Sequence, residues 1–178
     1  TLDVPEALSA TFKFKPGQHM AVRAQIGGKD ERRTYSIAAR SGAALRVGIR
    51  AVPGGAFSTW AQTALQPGGT LDVAPPSGRF VLADGQGRAR HLLSVAAGAG
   101  VTPVLGMVTD ALELERDTTV TLLYGNRAVE TAMFLDEVEG LKDRFPSRFD
   151  FLHVLSRTAE GDTTILEGRI TAEKIKAL

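Results

Sequence analysis

His91-Leu92-Leu93-Ser94-Val95-Ala96-Ala97-Gly98-Ala99-Gly100-Val101-Thr102-Pro103 decides how the second half of this chain folds. His91–Ala97 is an apolar run of strand length. It passes straight into Gly98-Ala99-Gly100, with Thr102 at the expected N-cap of a helix and Pro103 at its first position. A strand apolar throughout is buried on both faces, as strands of parallel sheets are. The alternation then continues with a helix over Pro103–Leu114, a strand over Val120–Tyr124 and a helix over Thr131–Arg144. A strand over Phe149–Leu155 and the start of a helix over Thr171–Leu178 follow. This order predicts an α/β domain built on a doubly wound parallel sheet.

Upstream the texture differs. Ala10–Phe14, His19–Ile26, Arg32–Ala38 and Leu45–Val52 read as short strands, punctuated by Pro16-Gly17 and Gly27-Gly28. Phe57, Trp60, Ala61, Ala64 and Leu65 fall at helical spacing within Ala56–Leu65. Leu71–Ala74 and Phe80–Leu82 are two further short strands. Several short strands and one helix predict an antiparallel β-barrel. Asp84-Gly85-Gln86-Gly87 separates the two textures, so the expected domains are 1–86 and 87–178.

The totals narrow the possibilities. With 43% apolar and 23% charged residues over 178 positions, the chain is globular rather than disordered. A net charge of +1 gives no case for nucleic acid or an anionic membrane. The longest apolar run, Leu92–Val108, is short for a membrane span and holds three Gly and a Pro. No signal peptide opens the chain, and the expected location is cytoplasmic. Zero Cys excludes disulfides and thiolate-bound metal clusters within these residues. The first residue is Thr, and the chain is expected to be a fragment lacking both ends.

Five stretches suit nucleotide ligands. On an extended segment Arg33 and Tyr35 share a face, so a cation and an aromatic ring can meet one flavin, whereas Ser36 faces away unless the strand ends there. An ordinary edge strand accounts for the same residues. Gly54-Gly55 lets backbone approach a ligand, and the amides of Ala56, Phe57 and Ser58 begin a helix fit for a pyrophosphate. A turn that only needs glycine does so equally. Gly98–Pro103 is not the dinucleotide fingerprint, since Pro103 stands at the third glycine position and no acidic residue takes the ribose role. It serves either a phosphate or nicotinamide at the sheet's C-terminal edge or an unliganded βα turn. Tyr124-Gly125-Asn126-Arg127 and Ser156-Arg157 end strands on that edge, as a 2′-phosphate site or as solvated loop arginines. His19, His91 and His153 share no metal-ligand spacing and read as structural. Asp136, Glu137 and Glu139 read as a solvated helix face. Ser94 lacks a nucleophile-elbow context, and nothing supports a hydrolase.

In order and spacing these motifs resemble the ferredoxin–NADP reductase family. Arg33-Thr34-Tyr35-Ser36 is similar to its Arg-x-Tyr-Ser flavin motif, and Gly98–Pro103 to its Gly-x-Gly-x-Thr-Pro nicotinamide motif. Pro16-Gly17-Gln18 and Leu123–Arg127 are similar too, and the likeness is strongest to oxygenase reductases. The resemblance implies FAD in the barrel and NADPH in the second domain. Tyr35, Ser36 and Thr102 would stand at the reacting rings, with Arg33 and the Gly55–Ser58 turn (Gly55, Ala56, Phe57, Ser58) on FAD, and Arg50 would be a further cofactor-binding residue. Gly98, Gly100, Pro103, Gly125 and Asn126 would line the nicotinamide nucleotide, and Arg127, Ser156 and Arg157 would select its 2′-phosphate. The implied acceptor is an oxygenase component, phenylacetyl-CoA oxygenase first, or else another ring-hydroxylating oxygenase or a ferredoxin. A non-catalytic flavin- or nucleotide-binding module stays open as a different class. The family's Cys-Gly-Pro segment is absent, and a 2Fe-2S cluster is expected only in a missing C-terminal domain.

Overall fold

A computed structural model describes residues 1–157 and 166–176. The first half is built on β1 (His19–Ile26) and β2 (Lys29–Ser36), a hairpin in full antiparallel register from His19 opposite Ser36 to Ile26 opposite Lys29. The short strand β3 (Asp72–Val73) pairs with the other side of β1, giving the order β2-β1-β3. Single bridges between Ile37 and Val47 and between His19 and Ser77 continue the wall. Met20 and Val22 of β1 point inward beside Ile37, Ala39, Leu45 and Phe57, while Arg23 and Gln25 face water. That period of two is what one buried sheet face requires. The edge strand β2 carries Lys29, Asp30, Arg32 and Arg33 outward, and such charges keep a free edge from pairing with another chain. Helix α1 (Ala56–Thr63) lays Phe57 onto the same core.

Three expected strands form no ladder. Residues 9–12 turn instead, because the Leu8 carbonyl accepts from the amides of both Thr11 and Phe12. Leu45–Val52 makes only the Val47 bridge, with Leu45 and Arg46 carbonyls bonded singly to Leu2 and Ala38. Phe80–Leu82 bends where the Val81 amide donates to the Arg79 carbonyl.

The second half is the alternation read from the sequence. Strands β4 (Arg90–Ala97), β5 (Thr118–Asn126) and β6 (Phe149–Leu155) lie parallel in the order β4-β5-β6. Their register sets Ala97 beside Gly125 and Gly125 beside Val154, so the strands end at one edge. Helices α2 (Val101–Leu114) and α3 (Leu135–Arg144) bury Val104, Leu105, Val108, Leu112, Val138 and Leu141 against Val120, Leu122, Tyr124 and Phe149. Leu93 and Val95 point out of the opposite face of β4 and are exposed. A short α4 (Ala172–Lys176) follows, and residues 177 and 178 of the expected helix lie outside the described residues. No described helix is long and apolar enough to cross a membrane.

The start of α2 differs from expectation. A 3-10 turn over Gly98–Gly100 runs directly into the helix, so Gly100 is the N-cap and Val101 the first helical residue. Thr102 lies inside the first turn and its hydroxyl donates to the Ala99 carbonyl (2.6 Å) instead of accepting from an amide. Pro103 is tolerated one place further in, because amides of the first turn have no intrahelical partner to lose.

The halves are joined across α2 and α3. Arg46 grips the Glu137 carboxylate through two nitrogens, at 3.0 and 2.6 Å, and stacks over the Phe134 ring. Glu137 is therefore not merely a solvated helix residue. Its partner lies 91 positions away in the sequence, in the other half.

Candidate functional site

Arg33, Thr34, Tyr35 and Ser36 all open onto one cleft of about 540 Å³. Gly48, Arg50, Val52, Gly55, Phe57, Ser58, Ala99 and Thr102 complete its walls. Strict alternation would turn Ser36 away, but β2 ends at that residue and releases the constraint. The Tyr35 ring rests 5.7 Å from that of Phe57, tilted by 43°, and Phe57 is held in turn by Trp60. Burial pushes the Tyr35 phenol above its ordinary pKa, with Arg33 opposing, so it remains a hydroxyl donor at neutral pH. Arg33 pairs with Glu31 at 2.9 Å, which places both on one face, and its exposed guanidinium keeps donors to spare.

The start of α1 supplies the anion-facing part of this cleft. The first intrahelical bond runs from Thr59 to the Gly55 carbonyl, which leaves the amides of Ala56, Phe57 and Ser58 ahead of it. The Ser58 hydroxyl is spent on the turn itself: it accepts from the Val52 amide (3.1 Å) and donates to the Gly55 carbonyl (3.2 Å). A Cβ on Gly55 would lie 2.7 Å from that hydroxyl, so the turn closes only around glycine. Free amides, a helix N-terminus and two arginines fit a pyrophosphate, and Tyr35 gives a flat ring a surface to lie on. These residues fit FAD.

A second cleft of about 430 Å³ lies at the C-terminal edge of the parallel sheet. Ala97, Gly98, Gly125, Asn126, Arg127, Thr131 and Ser156 line it, together with Gly168, Arg169 and Ile170. Arg50 lines both clefts. Its Nη1 lies 3.1 Å from where a Cβ on Gly98 would be, so the guanidinium rests against the glycine turn. The edges of β5 and β6 are zipped beyond their ladder, the Ser156 amide donating to the Asn126 carbonyl and Arg157 to that of Arg127. Arg127 and Ser156 thereby face the cleft with Arg169 as a third polar wall, an arrangement suited to a phosphate monoester. These residues fit a nicotinamide dinucleotide. Ala56, Gly100, Pro103 and Arg157 line neither cleft.

Sequence reasoning missed Arg169 and the doubled role of Arg50. The Gly168-Arg169 pair was the available signal.

Buried Tyr124 and Asn126 form a cluster with half-buried His153 behind the second cleft. The Tyr124 hydroxyl lies 3.2 Å from the Gly98 carbonyl and 3.0 Å from that of Met133. His153 stacks on its ring at 5.6 Å and contacts Phe151 on its own strand. His153 Nε2 lies 3.1 Å from Asn126 Nδ2, where a neutral imidazole accepts. Burial holds His153 below the ordinary histidine pKa, and Glu139 on α3 only partly offsets this. The unfolded chain therefore takes up the proton near pH ~6.5 while the folded chain resists until lower pH. Stability from this residue is complete above that value and lost as pH falls below it. A His153→Gln chain should show a shallower fall in melting temperature between pH 7 and pH 5. An unchanged slope would remove His153 from the acid response.

Comparison with known proteins agrees with the two-cleft geometry. The oxidoreductase FAD-binding domain model matches residues 1–82, and the oxidoreductase NAD-binding domain model matches residues 95–178. The chain belongs to the ferredoxin–NADP reductase family. It is 37% identical over 180 residues to one of the subunits of 1,2-phenylacetyl-CoA epoxidase from Escherichia coli, covering all of this chain and 50% of that protein. It is 33% identical over 172 residues to the propane 2-monooxygenase reductase component of Mycolicibacterium smegmatis, covering 92% of this chain and 45% of the relative. The chain thus spans about half the length of the curated relatives it matches. Among solved structures, the Amycolatopsis cytochrome P450 reductase GcoB superposes with a TM-score of 0.76 at 26% identity. That match covers 93% of this chain and 50% of the reductase.

Proposed function

We propose that the chain is the FAD-dependent NADPH oxidoreductase core of an oxygenase system. It takes a hydride from NADPH and passes single electrons to an oxygenase component, with phenylacetyl-CoA oxygenase the favoured acceptor and another ring-hydroxylating oxygenase or a ferredoxin the alternative. The observation that carries this reading is Arg50, which makes one wall of both clefts and lies against Gly98. Two nucleotide clefts that meet at a shared residue suit direct transfer between their ligands, and the family membership and the oxygenase-reductase relatives support it. We divide the chain at 86/87, and a cytoplasmic location goes with this function.

Bound FAD supplies the conversion of a two-electron donor into single electrons. The chain's own residues bind, orient and exclude water. Tyr35 covers one ring surface, Arg33 and the Phe57 and Ser58 amides hold phosphate charge, and the Ser36 and Thr102 hydroxyls face the same cleft. Thr102 is 4% exposed and tied to the Ala99 carbonyl, so it meets a ligand in one fixed orientation. Arg127 and Ser156 hold the 2′-phosphate, and Arg169 joins them. The chain has no cysteine, so a thiolate-bound iron–sulfur relay draws its ligands from elsewhere.

Anaerobic reduction of the FAD-loaded chain, followed at the flavin absorbance band, tests the function. Tyr35→Ala should release flavin or slow its reduction. Arg127→Ala should raise the NADPH concentration needed for half-maximal rate by about ten- to a hundredfold while sparing NADH, since only NADPH presents a phosphate to the lost charge. Arg157→Ala, outside the cleft lining, should do less. Equal losses with both donors would overturn the phosphate assignment, and a chain that cannot take up FAD would favour a binding module without redox chemistry.

A further inference from the structure

Helix α2 packs on the parallel sheet along one side, and Thr102, Gly106 and Asp110 turn another side towards the first half. Thr102, at its start, faces the first cleft. One turn later Gly106 is buried so close to the other half that a Cβ there would sit 2.4 Å from the Ala39 carbonyl oxygen and 3.2 Å from Pro16 Cβ. One further turn brings Asp110, whose carboxylate accepts from the Ser41 amide (2.9 Å) and the Ser41 hydroxyl (2.5 Å). Spacings of four residues place all three on one side of the helix.

The segment they meet is the continuation of the flavin-facing strand. From Tyr35 and Ser36 the chain runs through Ile37, Ala38 and Ala39, all buried, to Ser41. Arg46 fixes its middle, donating from Nε (3.0 Å) and Nη2 (2.8 Å) to the Ala38 carbonyl. Each of these two rigid pieces therefore carries cleft residues at one end and a cross-domain fastening at the other.

We propose that Asp110 and Gly106 are positioning residues that set where Thr102 and the glycine turn stand relative to Tyr35 and Ser36. This rests on the oxidoreductase reading above. The Asp110–Ser41 clamp fixes the helix along its length and the Gly106–Ala39 approach fixes its depth. Neither residue lines the two clefts, so neither needs to touch FAD or NADPH. What they determine is how closely the ends of the two clefts meet, and hydride transfer is steep in that distance.

The experiment uses the full chain carrying Asp110→Ala, Asp110→Asn, Ser41→Ala, or Asp110→Ala with Ser41→Ala. FAD affinity, NADPH affinity and the limiting rate of anaerobic flavin reduction are measured separately. Hydrogen exchange is measured on the flavin-free chain. Asp110→Ala should lower the limiting rate by about ten- to a hundredfold while both affinities stay within about twofold. Asp110→Asn, which keeps an acceptor for one of the two bonds, should lie between it and the parent. The double variant should be no slower than the slower single, because both changes remove one contact. In the flavin-free chain, exchange should rise at Ala38–Ser41 and Ala99–Val104 together. A parent that is reduced, beside an Asp110→Ala chain reduced as fast, overturns the proposal alone. So does a rate loss explained wholly by weaker cofactor binding. A parent that holds FAD but is reduced by neither NADPH nor NADH overturns the functional reading and this proposal with it.

Discussion

An Arg50→Ala chain is expected to bind FAD and NADP each about ten- to a hundredfold more weakly. One guanidinium serves both clefts and rests on the Gly98 turn where they meet. Losing a charge-assisted bond to phosphate costs about 1.5–3 kcal/mol, and every ~1.4 kcal/mol is tenfold in affinity. Arg50→Lys should recover part of the loss at one cleft at most, since an ammonium is a point charge without the planar fork that reaches two partners. Fluorescence titration of FAD and calorimetric titration of NADP report the two affinities independently. A loss confined to FAD would place Arg50 on the flavin alone and leave the second cleft without its shared wall.

Gly17→Ala should be the most damaging alanine substitution among the described glycines. Gly17 sits at φ +94°, and a Cβ there would lie 2.1 Å from the Phe80 carbonyl oxygen and 3.1 Å from Met107 Sδ. The left-handed backbone costs alanine about 1–2 kcal/mol and the overpacking about 1–3 kcal/mol more. In a chain of this size that lowers the melting temperature by about 5–15 °C. Gly28→Ala is the control, because Gly28 has φ +78° with open space around it and meets only the first cost. If the two variants melt together, the close approach to Phe80 carries no energy.

The parts of the fold that were legible are those where local chemistry and tertiary need agree. The apolar runs of β4, β5 and β6 mark three strands, although β4 buries one face only and leaves Leu93 and Val95 exposed on the other, and Gly98 to Pro103 marks the strand-to-helix turn in the sequence itself. The expected strands at Ala10–Phe14 and Phe80–Leu82 failed because local amide–carbonyl bonds at Leu8 and Arg79 supplied what a ladder would have. Leu45–Val52 has a strand's alternation but no continuous neighbour to pair with. Within the site, the shared face of Arg33 and Tyr35 could be read from their spacing, whereas Ser36 came only from the family resemblance, because alternation turned it away. The position of Arg50 between the clefts could not, nor could Asp110 beneath Ser41, since both depend on residues far off in the chain coming together.

The pairs that join the halves also bear on how such a protein can be rebuilt by recombination. Arg46 with Glu137, Ser41 with Asp110 and Arg40 with Glu113 each have one member on either side of residues 84–87. A chimera cut there from two homologues would inherit half of each pair from a different parent. A mismatched charge or a bulkier residue at the seam would leave the two halves misaligned. Exchangeable units in this chain are therefore not the domains as they follow one another in sequence. They are the domains together with the matching residues of the seam, which must be transplanted or diversified as a set.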